Sequence, residues 1–379
     1  MAEKRSIFEE VGTEKSAAAR PAGGMIDASR GGARGAIRIW LMALFALVVV
    51  MIAVGGLTRL TDSGLSITEW APISGAVPPM TAADWEAEFE AYRAIPEYQL
   101  QNRGMSLEEF KTIYWWEWGH RQLGRVIGLV WAVGFLGFLA TRKIPTGWTG
   151  PLFLLGGLGG LQGAIGWWMV SSGLGEGMLD VASYRLAIHL GLAFVILGLI
   201  AWYIFALGRR ETDLMQARRG RERKLWVTGT GFMHLAMLQI LLGALVAGID
   251  AGRNYTDWPL MAGGFLPPQP FDLQPVWRNF FEDDGLVQFM HRIAGYILFL
   301  YGVLAWARAR KSPNRRTRFA FNAVFAMLSV QVLLGIVTVL YSAPWHIAIV
   351  HQVGAVALWV LILRARFLAG YPLAQSVRG

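Results

Sequence analysis

Four of the six histidines in the chain stand in two pairs with the same sequence surroundings. His120 and His291 each precede an arginine at the start of a long apolar stretch, and His189 and His351 each lie a few residues inside a later apolar stretch. Histidine is rare in membrane-spanning segments unless it is paired or functional. The repeated pairs therefore predict two sites for a metal or a heme.

Each histidine pair supplies two neutral imidazole ligands, which suit a heme better than a zinc ion. Histidines on facing helices of a four-helix bundle can hold a heme edge-on between them, whereas a structural zinc ion needs four ligands. The chain contains no cysteine, which excludes disulfides, iron–sulfur clusters and cysteine nucleophiles. We expect the four histidines to be axial ligands of two heme irons, paired as His120 with His189 and His291 with His351.

A carboxylate distinguishes the first pair from the second. Glu117 lies three residues before His120, on the same face of a helix, and the corresponding residue before His291 is Gln288. A carboxylate there can act as a base or stabilise positive charge. The alternative is an ordinary surface carboxylate at a helix entrance. The difference predicts reaction chemistry, with Glu117 as the catalytic residue, at the first pair and binding or electron transfer at the second.

The arginines that follow the first histidine of each pair have two interpretations. Arg121 and Arg292 could bind carboxylates such as heme propionates through the planar guanidinium fork. They could equally extend to lipid phosphate at the membrane interface. The other two histidines, His234 and His346, are not repeated, and we expect structural or interfacial roles for them.

The composition predicts an all-α integral membrane protein. Of 379 residues, 54% are hydrophobic and only 16% are charged, well below a soluble domain. Apolar runs of about 20 residues, the length that crosses a bilayer as a helix, occur eight times, and none alternates as a barrel strand would. They lie near residues 37–60, 120–140, 149–170, 185–207, 226–248, 290–309, 319–341 and 346–366.

The distribution of charge predicts how the chain is oriented. The net charge is +9, and the basic residues lie in the N-terminal tail and in alternate connections, while the intervening loops are mostly acidic. By the positive-inside rule both termini are cytoplasmic, and the four histidines lie toward the periplasmic side of a cell inner membrane. This rule accounts for the positive charge without a nucleic acid partner.

An internal repeat predicts two tandem four-helix bundles of the same orientation. Residues 55–64 and 243–252 match in glycine and aspartate, and each segment is followed by an acid–tryptophan pair. Gln162 and Gly166 likewise correspond to Gln331 and Gly335. The expected organisation is a disordered cytoplasmic tail, an N-terminal unit, a basic cytoplasmic linker, a C-terminal unit and a second cytoplasmic tail, at residues 1–36, 37–208, 209–225, 226–367 and 368–379.

Three stretches of the chain closely resemble the heme A synthase family, in its mitochondrial and alphaproteobacterial form. They are residues 109–125 (EFKTIYWWEWGHRQLGR), 55–70 and 288–292. The resemblance covers nearly everything after the N-terminal tail and includes the eight-helix repeat. One branch of the family carries a cysteine pair in its outer loops, and because this chain has no cysteine, a thiol–disulfide step is excluded.

The resemblance implies an oxidoreductase that converts a methyl group of heme O to a formyl group, giving heme A for cytochrome oxidase. It implies substrate heme at His120 and His189, a heme b cofactor for electron transfer at His291 and His351, and an essential role for Glu117. Heme O synthase and cytochrome oxidase assembly factors are the implied partners, together with membrane lipid, and a homo-oligomer stays open.

Two other functional classes compete with this interpretation. A diheme cytochrome b would only pass electrons, for example from a quinol, and a heme carrier would not turn over. All four histidines are expected on the same side of the membrane, which leaves no inner heme for a path across it. The contrast between Glu117 and Gln288 also has no purpose in a symmetric relay.

Overall fold

The computed structural model describes residues 33–175 and 177–374. Over these residues the regular secondary structure is helical, apart from one isolated bridge between Met261 and Gly264. Eight helices in this part of the chain are long and apolar enough to cross a membrane, which confirms the predicted all-α membrane protein. The terminal segments 1–32 and 375–379, which belong to the expected tails, and Glu176 lie outside the described residues. The twelve α-helices are α1 (Arg34–Leu60), α2 (Ala82–Arg93), α3 (Pro96–Leu100), α4 (Leu107–Ala140), α5 (Thr149–Gly173), α6 (Ser183–Leu207), α7 (Glu211–Arg219), α8 (Arg223–Gly248), α9 (Asn279–Glu282), α10 (Asp284–Ala309), α11 (Arg315–Leu340) and α12 (Trp345–Gly370).

Several membrane helices extend beyond the apolar runs that predicted them, because polar residues prolong their ends. α4 begins at Leu107, where Ser106 and Glu109 form a capping box. Its 34 residues make it about 50 Å long, well over the hydrocarbon thickness of about 30 Å. α12 continues to Gly370 rather than ending before the expected tail at 368, because Leu368 and Ala369 are buried against the helix bundle.

The basic connection between the two halves also contains structure that its composition did not indicate. α7 occupies residues 211–219 of this connection, with Glu211 and Asp213 in its first turn and Arg218 and Arg219 in its last. This order of charges stabilises a helix through its macrodipole. The connection therefore contains a short helix whose terminal charges complement its macrodipole.

The membrane helices contact one another in two closed rings. α1, α4, α5 and α6 contact in sequence around the first ring, and α8, α10, α11 and α12 around the second. The rings meet where α6 contacts α8 and α12, and where α1 contacts α12. The Trp359 indole of α12 donates a 3.0 Å hydrogen bond to the carbonyl of Phe194 in α6 at this junction. This contact pattern supports the two-unit interpretation of the repeat.

An arginine at the end of α1 joins loops from both halves. The Arg59 guanidinium lies 3.0 Å from the Asp62 carboxylate and 3.5 Å from that of Asp180, both in the first half, and 3.1 Å from that of Asp250 in the second. Asp62 and Asp250 are repeat counterparts, and both have positive φ. The repeat counterpart of Arg59 is the apolar Ala247. One asymmetric cation therefore holds together the equivalent turns of the two units.

The first outer loop folds into an aromatic cluster on the extension of α4. The Thr81 capping box with Asp84 starts α2 as expected. The ring of Phe110 on α4 stacks on Phe89 at 4.9 Å and lies 5.2 Å from the ring of Tyr92. These buried rings hold α2 and α3 against α4.

A carboxyl group is buried beneath this cluster. The Glu97 side chain is only 3% exposed, and its Oε1 accepts hydrogen bonds from the Tyr92 hydroxyl at 3.2 Å and the Asn102 amide at 3.3 Å. Burial, together with the nearby Asp180 and Asp62 carboxylates, raises the pKa of Glu97 to about 8, and the hydrogen bond from Tyr92 opposes this rise. The folded protein therefore keeps this carboxyl protonated at neutral pH.

We expect Glu97 to make the protein less stable as the pH rises. The unfolded carboxyl ionises near its ordinary pKa of 4.5, whereas the folded one holds its proton until about pH 8. The unfolded state therefore binds fewer protons in this window, and the free energy of unfolding falls by up to about 1.4 kcal/mol per pH unit. Glu97→Gln should remove this fall in thermal unfolding of the detergent-solubilised protein. Exposed Glu108→Gln is the control, and equal pH slopes in wild type and Glu97→Gln would contradict the assignment.

Candidate functional site

Each of the two histidines of the first ring packs against a glycine of a neighbouring helix. His120 lies on α4 and His189 on α6. A Cβ atom on Gly55 of α1 would lie 3.0 Å from Nε2 of His120, and one on Gly166 of α5 would lie 2.9 Å from Cε1 of His189. Such approaches are closer than ordinary Cβ contacts, so each ring needs a glycine opposite it.

The second ring repeats this geometry in the corresponding helices. His291 lies on α10 and His351 on α12. A Cβ atom on Gly243 of α8 would lie 3.0 Å from Cε1 of His291, and one on Gly335 of α11 would lie 3.3 Å from Cε1 of His351. The four glycines are repeat counterparts in two pairs. All four helices of each ring thus contribute a histidine or the glycine that faces it.

Glutamine side chains hold one histidine in each ring. Gln162 Nε2 donates to the carbonyl of His189 at 3.0 Å and lies 3.3 Å from both ring nitrogens. Gln239 Nε2 donates to the carbonyl of His291 at 3.1 Å and lies 3.1 and 3.2 Å from its ring nitrogens. Gln239 was not recognised from the sequence, because its repeat counterpart is Met51 and the register gave no signal.

The residues present fit a heme in each ring. No group of three or more His, Cys, Asp or Glu side chains that could hold a metal ion occurs in the described residues, so each ring offers a two-imidazole donor set. Porphyrin supplies the remaining four ligands of a heme iron, which makes two histidines sufficient. Buried polar atoms without a hydrogen-bond partner also gather on the helices around the histidines. They are Gln162 Oε1, Gln239 Oε1, Arg292 Nε, Tyr296 Oη, Gln331 Nε2 and His351 Nδ1.

The Glu117 carboxylate is buried and fully hydrogen-bonded. Its exposure is 3%. Oε2 accepts hydrogen bonds from the Ser66 hydroxyl at 2.9 Å and the Ile67 backbone N–H at 2.8 Å, and Oε1 accepts from Nε and Nη2 of Arg121 at 3.0 and 2.6 Å. A surface carboxylate at a helix entrance is therefore excluded. The carboxylate instead joins the outer loop after α1 to the face of α4 that carries His120.

Gln288 occupies the same place in the second ring with reversed hydrogen-bond polarity. Its Oε1 accepts from Nη2 of Arg292 at 2.5 Å, as Glu117 accepts from Arg121. Its Nε2, however, donates to the carbonyls of Ala251 and Asn254, both at 2.6 Å. The outer loop after α8 thus presents acceptors where the loop after α1 presents donors. The local backbone of each loop matches the glutamate or glutamine it meets.

Both arginines bind equivalent carbonyls of the loops above the histidines. Arg121 donates to the carbonyls of Ile67 at 2.8 Å and Glu69 at 2.9 Å. Arg292 donates to their repeat counterparts, Tyr255 and Asp257, and to Leu260, at distances of 2.7, 3.0 and 3.0 Å.

The protein uses most of the hydrogen-bond donors of both arginines. Each guanidinium has five N–H donors, and four hydrogen bonds to the protein occupy all but one of those of Arg121 and of Arg292. In this arrangement both arginines hold the outer loops, and their contact with a heme propionate or a lipid phosphate stays a prediction.

The remaining histidines lie apart from these sites. His234 on α8 is exposed, and its Nδ1 lies 2.9 Å from the carbonyl of Thr230 one turn earlier. His346 is exposed at the start of α12 with its ring against Trp345. The structure therefore places two of the four repeated histidines in each ring and leaves His234 and His346 at the surface.

Comparison with known proteins confirms the family that the motifs resemble. A family model described as cytochrome oxidase assembly protein (COX15-CtaA) matches residues 38–363. A protein named heme A synthase from Ruegeria pomeroyi is 69% identical over 382 residues, covering 100% of both chains. Proteins of the same name from Dinoroseobacter shibae and Paracoccus denitrificans are 69% and 61% identical, covering 100% and 99% of this chain and 99% of each relative.

We expect Glu117 and Gln288 not to be interchangeable despite their similar shape. In Glu117→Gln either orientation of the amide loses an acceptor for Ile67 or Arg121, at a cost of about 1–3 kcal/mol. Gln288→Glu would place a carboxylate against two carbonyl oxygens, at a similar or larger cost. Hydrogen exchange should accelerate about tenfold or more in Glu117→Gln either at the Ile67 backbone N–H or at the Nε–H of Arg121, whichever loses its acceptor.

The control for this exchange measurement is Gln101→Glu, a change of the same chemistry at an exposed position of the first outer loop. It should leave exchange at Ile67 and Arg121 as in wild type. Unchanged exchange at both positions in Glu117→Gln would mean that the carboxylate does not hold the loop.

Proposed function

The chain belongs to the COX15-CtaA family of cytochrome oxidase assembly proteins, and we propose that it is a heme A synthase, an oxidoreductase that converts heme O to heme A. The observation that carries this proposal is the pair of two-histidine sites that differ at Glu117 and Gln288. Two sites of equal ligand set but unequal surroundings suit a substrate and a cofactor. The protein is a multi-pass membrane protein.

We assign the first ring to substrate and the second to cofactor. His120 and His189 would hold the iron of heme O, and His291 and His351 would hold a heme b. When bound, the second heme supplies electrons and the first presents the methyl group that becomes formyl. Glutamine contacts orient the ring of His189 in the first site and of His291 in the second, as partners of metal-binding histidines commonly do.

Glu117 would act as a fixed negative group one helical turn from His120. All of its acceptor positions are already used by Ser66, Ile67 and Arg121, so taking up a proton would cost it one of these contacts. Stabilising positive charge requires no such loss, because the carboxylate is already oriented and shielded from water. We therefore favour charge stabilisation over a base role.

The arginines assist both sites from the outer loops. Arg121 and Arg292 fix the loop that covers each histidine pair, and each guanidinium keeps one N–H donor toward a heme propionate. We propose that the sites face the periplasm from a cell inner membrane with both termini cytoplasmic. Heme O synthase and cytochrome oxidase assembly factors are the proposed protein partners, and a homo-oligomer is compatible with this arrangement.

A diheme cytochrome b is the second candidate, and the near-identical geometry of the two rings favours it. In that case the two sites would only exchange electrons and heme O would leave unchanged. The deciding experiment supplies heme O and oxygen to the purified protein under reducing conditions and identifies the extracted hemes. Heme A or a hydroxylated intermediate supports the synthase. Recovery of heme O alone would support the relay.

The histidine assignment predicts selective loss of one heme. His291→Ala should abolish bound heme b, seen as loss of its absorption spectrum in the purified protein, because one of its two axial ligands is removed. His234→Ala changes an exposed histidine outside both sites and should bind heme b as wild type does. Retention of heme b in His291→Ala would overturn the assignment of the second ring.

The role of Glu117 predicts loss of product with both sites kept. Glu117→Ala should still bind both hemes and yield at least tenfold less heme A, the loss that corresponds to about 1.4 kcal/mol in the barrier. Ser66→Ala is the matched control, because it removes one hydrogen bond to the same carboxylate and leaves the charge. Normal heme A formation by Glu117→Ala would end the catalytic assignment.

A further inference from the structure

Helix α1 is one of the two helices of the first ring that contact the second ring, and two consecutive glycines face opposite ways from it. Gly55 faces His120 of the first ring at the 3.0 Å approach described above. Gly56 faces α12 of the second ring, where a Cβ atom would lie 2.6 Å from Nε2 of Gln352 and closer still to its Oε1. No side chain fits at either position without moving its neighbour, so α1 comes into direct contact with both units.

Gln352 links this helix to the second site. It follows His351 directly in α12, and its Nε2 donates a 2.8 Å hydrogen bond to the backbone carbonyl of Ile52. That carbonyl is also the helical acceptor for the N–H of Gly56. A short path of covalent and hydrogen bonds therefore runs from His351 through Gln352 into α1, next to the glycine that touches His120.

The repeat provides a natural comparison for this contact. The counterpart of Gly56 is Ala244 and the counterpart of Gln352 is Leu190. Leu190 packs against the buried apolar cluster that contains Ala244, at the junction of α6 with α8. An aliphatic pair thus suffices to pack the equivalent junction. The polar Gln352 and its glycine occur only where α12 meets α1, and packing does not require them there.

We infer that Gln352 is a positioning residue that couples the second site to the first and carries electron transfer between them. The inference rests on the proposed function. If both hemes are bound as proposed, His291 and His351 would hold the iron that gives up one electron and His120 and His189 the iron that takes it up. The second site would be oxidised as the first is reduced, and no bond or proton would change place. The hydrogen bond to Ile52 fixes the approach of the two sites and completes the path.

The test replaces the polar contact by the aliphatic pair of the other junction. Gly56→Ala combined with Gln352→Leu copies Ala244 and Leu190, so packing is kept and the hydrogen bond is lost. The holoprotein is loaded with both hemes and reduced at the second site, and electron arrival at the first site is followed by rapid-mixing absorption spectroscopy. We expect a several-fold slower transfer, with heme content and both midpoint potentials unchanged.

Controls separate coupling from a merely structural role. Leu190→Met, a volume-conserving change at the counterpart position, should leave the transfer rate unchanged. Gly56→Ala alone should disturb packing, and adding Gln352→Leu should restore thermal stability without restoring the rate. A wild-type rate of electron transfer in the double variant would overturn the inference. A changed midpoint potential at the second site would also overturn it, because Gln352 would then act on the heme of the second site and not on the coupling between the sites.

Failure of the inference and failure of the proposed function give different results. If the double variant transfers electrons normally and forms heme A, the coupling role is wrong and the synthase assignment stands. If wild type transfers electrons between the sites but never forms heme A, and the double variant transfers them slowly, the coupling role stands in a relay protein.

Discussion

The close approach of each repeated histidine to a glycine is the contact on which the two sites depend. An imidazole ring can lie between tightly packed membrane helices only where the opposite helix has no side chain, and this condition is met at Gly55, Gly166, Gly243 and Gly335. The glycines thus decide which helices can face a histidine pair. The order of helix contacts around each ring agrees with this pairing of histidine and glycine. The outer loops lie above the same pairs.

The two rings share one pattern of helix contacts, and differences between them occur at a few polar positions. Arg121 and Arg292 bind equivalent loop carbonyls, so the support of the two sites has stayed the same. Arg121 has a glutamate as its partner, whereas Arg292 has a glutamine. The outer loop offers hydrogen-bond donors to the glutamate in the first ring and carbonyl acceptors to the glutamine in the second. The side chain and the backbone that it meets therefore differ together between the two rings.

Much of the fold could be predicted from sequence, because membrane helices are determined by apolar length and helix starts by capping residues such as Thr81 and Ser106. The histidine pairs could be predicted because the repeat aligns them. The loop contacts could not, since backbone carbonyls leave no trace in the residue pattern. Gln239 was missed because Met51 stands opposite it in the repeat. The contact of each glycine with a histidine could not be predicted, because an apolar helix gives no sign of what faces each glycine.

The Arg59 cluster has a consequence for how the chain is assembled in the membrane. When helices α1 to α6 have been synthesised, Asp250 has not yet emerged. Arg59 can pair at that stage only with the nearby Asp62 and Asp180. Its third partner arrives when α8 is inserted. The ion pair is thus completed only after the halves have met, and a nascent first half is left with an incompletely paired cation until the second half docks.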